Sequence, residues 1–280
     1  MEKRETRPIK KRKAGRPKGF TLTATDFKVI EKIASLSLQS YQQLREGVLK
    51  DRHRVAVWGR MKRLTREGLV RECRSDGGSI LAWAVTTKGA SKVYADKTVA
   101  RQIAKQSPVY RGTFHHDRVL VDVREILSKS PVITHWETEA ALRAAIMQKF
   151  YFLNQADRSE RASVIPDALL YLNARGNIKK AALEVELSQK SRRRIFKKLE
   201  TQILSPDYNF VFYVVQGEKL KEKLIEIYED VRENAIRVKI AKMQNGIFFV
   251  SLEDIQNLKL KATFKGIESS FSFDDLEAKT

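Results

Sequence analysis

The sequence predicts an α/β (α+β) chain in two parts, a group of short helices closed by a β-hairpin and then a mixed sheet flanked by helices. Three observations lead there. Over residues 21–98 the apolar residues recur at helical spacing, then switch to two short apolar runs separated by Ser75-Asp76-Gly77-Gly78. Over residues 113–255 helical stretches alternate with strand-like runs, among them Phe-Val-Phe-Tyr-Val-Val, the composition of a strand buried on both faces. The 280 residues suit about two domains at roughly 100–200 residues each.

Composition narrows the function classes. The chain carries 54 Lys+Arg against 34 Asp+Glu, a formal charge of +20. A polyanion is the expected partner, because each phosphate that is neutralised releases condensed counterions. Double-stranded DNA is favoured over an anionic membrane surface and over a merely solvated basic surface. The 42% hydrophobic fraction excludes wholesale disorder. No window reaches the ~18 apolar residues of a membrane span, and the basic, polar start carries no secretory core, so no membrane is expected and the location is expected to be cytoplasmic. A single cysteine, Cys73, excludes a disulfide framework, a Cys-rich zinc site and a Cys-x-x-Cys pair.

Residues 1–20 hold nine Lys or Arg against two Glu. Residues 10–19, Lys-Lys-Arg-Lys-Ala-Gly-Arg-Pro-Lys-Gly, combine charge with helix breakers, so the arm is expected to be disordered when free. Gly15-Arg16-Pro17 resembles an AT-hook, although Ala14 stands where the usual core has a further Arg. The resemblance implies that Arg16, with Lys18 beside it, enters the narrow minor groove of A·T-rich DNA. A generic basic tail is the other reading.

Residues 21–98 read as three helices and a hairpin. Thr23 and Asp26 have capping-box spacing, ahead of an apolar set of Phe27, Ile30, Ile33 and Ala34. Residues 38–40 open a second helix carrying Tyr41, Leu44 and Val48. A third spans about residues 51–67, with Val55, Trp58, Met61 and Leu64 expected inward and Gly68 ending it. Residues 69–73 and 80–85 are the hairpin strands, and Thr86-Thr87-Lys88-Gly89-Ala90 opens another helix. The string Arg-x-x-Arg-Leu-x-Arg-x-Gly-Leu-Val, with the hairpin behind it, resembles bacterial winged helix-turn-helix domains. That likeness implies that the third helix enters the major groove, with Arg52, Arg54, Arg60, Lys62, Arg63 and Arg66 as the DNA-contacting set. Most of these would touch phosphate rather than bases.

A linker is expected over residues 99–112, followed by a second domain over 113–255. Its predicted order is a helix (114–129), a strand (131–136), a helical stretch (139–148), strands at 164–172 and 179–187, a very basic helix (189–203) and a strand (209–216). Glu184 and Glu186, two apart on an apolar strand, share one face. Two carboxylates buried together raise each other's pKa unless a cation joins them. A divalent ion with oxygen ligands, Mg²⁺ or Mn²⁺, would relieve that and promote phosphodiester cleavage. The other reading is strand-end carboxylates facing solvent or paired with Arg192, Arg193 and Arg194.

Pro166-Asp167, a hairpin, then Glu-x-Glu on an apolar strand resembles the PD-(D/E)xK nucleases of the restriction-endonuclease-like superfamily. The resemblance implies Asp167 and Glu184 as metal ligands. Glu186 stands where the pattern has Lys; it becomes a further candidate ligand or catalytic group, and Lys190 the nearest replacement as the water-orienting cation. His115-His116-Asp117 opens the domain's first helix, where His116 would help position water or phosphate, or Asp117 would simply cap the helix. Glu137 and Glu139 are lesser candidates.

The winged-helix pattern, His-His-Asp, Pro-Asp-Ala and Leu-Glu-Val-Glu-Leu-Ser-Gln-Lys-Ser, in that order over about residues 25–250, is similar to the plasmid replication-relaxation family and to MobC-type mobilisation relaxases. This implies origin processing on a plasmid or mobile element in bacterial cytoplasm, with relaxosome or replication proteins as partners. Two functions stand: a metal-dependent DNA nickase, and a non-catalytic origin-binding or regulatory protein with a degenerate nuclease fold. Arg192, Arg193 and Arg194 are further expected DNA contacts. The chain has no phosphate-binding loop and no Gly-x-Ser-x-Gly elbow, its four histidines do not form a His-x-His relaxase site, and nothing marks Tyr171 as a nucleophile. Towards the end, a helix over 218–234, strands at 236–240 and 247–250 joined by an Asn245-Gly246 hairpin, and a loose tail over 256–280 are expected.

Overall fold

The computed structural model describes residues 20–36, 38–75, 77–106, 114–139, 141–143, 165–174, 176–237 and 246–277. The AT-hook-like arm, with Arg16 and Lys18, lies outside these residues. The chain is an α/β fold in which N-terminal helices precede a mixed sheet flanked by helices.

The N-terminal part starts with α1 (Ala24–Leu36), α2 (Tyr41–Glu46) and α3 (Arg54–Arg66). Thr23 caps α1: the Asp26 carboxylate accepts the Thr23 N–H at 2.9 Å, and the Asp26 N–H donates back to the Thr23 hydroxyl at 3.2 Å. Ser40 and Gln43 form the same reciprocal box at α2. Packing corrects two of the expected apolar faces. Phe27 is exposed while Val29 is buried, and on α3 Val55 is exposed while Val57, Met61 and Leu64 are buried. Spacings of four and three keep 57, 61 and 64 on one stripe. The expected set at 55, 58, 61 and 64 advances by three each time and so drifts around the helix.

Gly68, at φ +68°, turns the chain out of α3 into β1 (Val70–Arg74), which pairs antiparallel with β2 (Ile80–Val85). Gln39, between α1 and α2, bridges to Trp83 of β2. Next comes α4 (Thr87–Ala90), where a Cβ on Gly89 would sit 1.9 Å from the Leu69 carbonyl oxygen, so only glycine fits. The linker expected from residue 99 is helical at its start. The helix α5 (Lys97–Gln106) covers it, with Ala100 buried against the first core.

The second part begins with α6 (Phe114–Leu127) and builds one sheet in the order β3 (Ile133–Thr138), β4 (Ala168–Ala174), β5 (Asn177–Glu186), β6 (Phe210–Val215), β7 (Gly246–Ser251), β8 (Phe264–Lys265) and β9 (Ser270–Phe271). Strands β5, β6 and β7 run parallel, and the outer pairs are antiparallel. Helix α7 (Arg192–Ile203) joins β5 to β6, and α8 (Glu218–Arg237) lies between β6 and β7. Of the strand expected over 236–240, Ile236 and Arg237 belong to α8, while residues 238–240 and Asn245 of the expected turn lie outside the described residues; β7, which Gly246 opens, pairs parallel with β6.

Nor is the C-terminal stretch a loose tail. Helix α9 (Leu252–Leu258), a 3₁₀ turn, β8, β9 and α10 (Phe273–Glu277) pack onto the sheet, with Phe264 and Phe273 buried around Phe212. One face of the sheet, with Leu183 and Val185, packs on α6 and α9; the other, with Ala182, packs on α7 and α8. The two parts of the chain meet at α6, where Val121 packs on Leu36, Leu38 and Ala82. Among the described residues no helix is long and apolar enough to cross a membrane.

Candidate functional site

Two regions gather the predicted functional residues. The first is the surface of α3. His53 caps its start, its ring nitrogen accepting the Val55 N–H at 3.4 Å. Of the six cations expected to face DNA, two are engaged inside the protein. Arg63 donates to both carboxylate oxygens of fully buried Asp26, at 2.8 and 2.9 Å, and Arg60 pairs with the same carboxylate. Burial works to raise the Asp26 pKa, but the Thr23 hydrogen bonds and the two guanidinium groups outweigh it and hold the carboxyl below the usual aspartate range. Arg52, Arg54, Lys62 and Arg66 remain exposed, Arg66 only 3.8 Å from the Glu67 carboxylate. On α7, Arg192 is likewise taken, pairing with Glu226 and Asp230 of α8, whereas Arg193 and Arg194 are exposed.

The second region is the face of β5 that packs on α7. Glu184 and Glu186 share it, as their spacing predicts, and each is only 3% exposed. Asp167 reaches the same place from the start of β4, and its Oδ2 accepts the Val185 N–H at 2.8 Å. His116, in the first turn of α6, has Nε2 3.2 Å from Asp167 Oδ2 and 3.1 Å from the Val185 carbonyl, while its Nδ1 is 3.5 Å from Asp117. Burial opposes the imidazolium, yet the two flanking aspartates outweigh it and raise the His116 pKa to about 10. Asp167 is held low despite its burial, because His116, the Val185 N–H and Lys198 all favour the carboxylate.

Glu184 is balanced by residues that the sequence reading missed. Lys198 Nζ donates to its Oε2 and Gln202 Nε2 to its Oε1, both at 2.6 Å; the Tyr213 hydroxyl in turn donates to Gln202 Oε1 at 2.6 Å. Burial pushes the Glu184 carboxyl up to about 7, with Lys198 pulling against it and Asp167 adding to it. Lys198 is kept charged: burial disfavours the ammonium, but Glu184 more than compensates. One sign in the sequence does point here. Gln202 falls on the stripe of Ile195, Leu199 and Ile203, a polar group on the buried side of α7, with Lys198 one turn before it.

The expected catalytic Lys190 bonds Glu186 Oε2 at 2.6 Å. Glu137 and Glu139 stand apart from the cluster: Glu137 accepts the Tyr171 hydroxyl at 2.7 Å and raises its pKa to about 12, and Glu139 pairs with Arg143.

The donor set as arranged does not suit a divalent ion. Each carboxylate already faces a cation of the chain: Asp167 with His116, Glu184 with Lys198, Glu186 with Lys190. Both oxygens of Glu184 are occupied by donors. Among the described residues no three His, Cys, Asp or Glu side chains are grouped to hold a metal. The chain matches no protein-family model, no curated protein and no solved structure.

Proposed function

We propose that the protein binds double-stranded DNA through a winged helix-turn-helix formed by residues 21–98, and acts at the origin of a plasmid or mobile element as the resemblance to replication-relaxation proteins implies. The observation that carries this reading is α3. It leaves Arg54, Lys62 and Arg66 exposed on a short, well-anchored helix, with exposed Arg52 just before its cap, in a chain of charge +20. The Asp26 clamp on Arg60 and Arg63 fixes that helix against α1 and sets its presentation. In this reading the restriction-endonuclease-like core is a scaffold whose carboxylates are neutralised by the chain's own cations.

A metal-dependent nickase is the second reading. It is favoured by the gathering of Asp167, Glu184 and Glu186 on one sheet face with Lys198 and Lys190 beside them. An ion entering there has to displace His116 or Lys198 from the acids.

Duplex binding measured by fluorescence anisotropy across a salt series tests the first reading. Salt-sensitive binding is expected, weakened at least tenfold when Arg52, Arg54, Lys62 and Arg66 are all changed to Ala. Absence of binding at low salt overturns it. Incubation with supercoiled plasmid carrying the protein's own origin, with Mg²⁺ or Mn²⁺, separates the two readings. No open circle is expected; metal-dependent nicking that is lost in Asp167→Ala and Glu184→Ala supports the nickase.

A further inference from the structure

Helix α3 carries a second pattern besides its charge. Val55, Gly59, Lys62 and Arg66 are spaced by four, three and four, which places them within about 60° of arc at 3.6 residues per turn. All four are exposed, and Val57, Met61 and Leu64 on the opposite side are in the core. The ridge therefore points directly away from the protein.

Two of its members have no reason within the protein to be what they are. Val55 is 71% exposed, more than any other large hydrophobic residue described. At Gly59 an added Cβ would meet nothing within 4 Å, and the backbone has no positive φ there. Glycine in an exposed helix interior weakens the helix relative to alanine, and here neither packing nor conformation asks for it. What remains is close approach of another molecule to the helix backbone.

The surroundings identify that molecule. Arg52, Arg54, Lys62 and Arg66 surround the Val55–Gly59 segment, whereas the centre of a protein–protein interface is depleted of charge. Asp26 withdraws Arg60 and Arg63 from the same helix, so the first turns of α3 present a small apolar surface flanked by cations. In a helix lying in the major groove the N-terminal residues meet base edges, and the C5-methyl of thymine is read by apolar contact.

We infer that Val55 and Gly59 form the base-reading segment of α3. Val55 sets its methyl groups against a thymine methyl, and Gly59 lets the helix backbone close on the bases, while the surrounding cations hold phosphates. The inference rests on the reading of α3 as the DNA-contacting helix and adds which residues determine sequence preference.

The test uses the full chain. A preferred duplex is selected from a random pool, and affinity is then measured with each thymine in turn replaced by deoxyuridine, which removes only the methyl group. One such replacement is expected to weaken wild-type binding three- to tenfold and to have no effect on Val55→Ala. Gly59→Ala is expected to weaken the selected duplex at least tenfold while leaving non-specific DNA affinity, its salt slope and the unfolding midpoint unchanged or improved, so that the loss is not one of folding. If the wild-type protein binds DNA in a salt-dependent way but selects no sequence, or both variants keep its preference and affinity, the inference falls and the DNA-binding reading stands. If the wild-type protein binds no duplex, the underlying reading falls as well.

Discussion

Asp26 performs two tasks with one carboxylate. It completes the cap of α1 with Thr23, and it draws Arg60 and Arg63 of α3 onto the start of α1. A buried charge without partners is costly, so this pairing is sensitive to the loss of either side. Asp26→Asn keeps the shape but leaves two guanidinium groups facing a neutral amide, and is expected to destabilise the fold by about 2–4 kcal/mol in urea unfolding at pH 7. The sign with pH follows from the depressed pKa. The contribution is complete above the ordinary aspartate value of 3.8 and is lost as pH falls through the lower folded value. The gap between wild type and variant should therefore narrow in strong acid; a constant gap would show that the ionised carboxylate is not the anchor. His116 runs in the opposite sense. Its pKa is raised from 6.5 to about 10, so its stabilisation is complete below pH 6.5 and is lost as pH rises through about 10. His116→Gln should flatten the loss of stability between those limits, and an unchanged profile would remove the imidazolium from the account of the carboxylate cluster.

Among the elements, α7 shows best what the sequence could and could not reveal. Its amphipathic stripe of Ile195, Leu199 and Ile203 is legible, as are the Thr23–Asp26 cap and the Gly68 stop, because each depends on residues within one or two turns. The pairing of Glu184 and Glu186 on one strand face is legible for the same reason. Lys198 is not, being one of many cations on a basic helix; only the seating of α7 on β5 turns it towards Glu184. Val55 and Val57 illustrate a subtler ambiguity, since both fit some apolar spacing and the core decides between them. Phe264, Phe271 and Phe273 stand in a mostly polar stretch without helix or strand periodicity, and their packing depends on an apolar sheet surface built some fifty residues earlier around Phe212. The alternation of residues 236–240 looks like a strand, yet α8 runs on to Arg237. If Lys198 holds Glu184 as the geometry indicates, Lys198→Ala should cost about 1–3 kcal/mol, because a buried carboxyl loses its donor and takes up a proton near neutrality. Changing both residues, Lys198→Met with Glu184→Gln, should recover part of that loss. A double variant no more stable than Lys198→Ala would mean the two do not act as a pair.

At the scale of the whole molecule, α6 belongs to both parts. Its first turn places His116 among the core carboxylates, and its middle docks on the N-terminal helices. There Gln43 donates to Asp122 at 2.6 Å, Lys32 pairs with Glu125 at 2.9 Å, and the Arg124 guanidinium donates to the Ser35 carbonyl while lying over the Trp136 ring. Burial lowers the Arg124 pKa to about 10, so the group remains charged near neutrality. Val121 is the apolar centre of this contact, buried against Leu36, Leu38 and Ala82. Each part has its own core, so the contact at α6 decides whether the two unfold together. Val121→Asp puts a charge into that apolar centre while leaving both cores intact. One calorimetric transition is expected for the wild-type chain and two for the variant; on the proposed reading of α3, duplex affinity is reduced less than twofold. A single transition that merely moves to lower temperature would mean that the N-terminal helices and the sheet are one cooperative unit. In that case the variant should lose core stability and, on the proposed reading of α3 as the DNA-contacting helix, duplex affinity together, because α3 would have no independent footing.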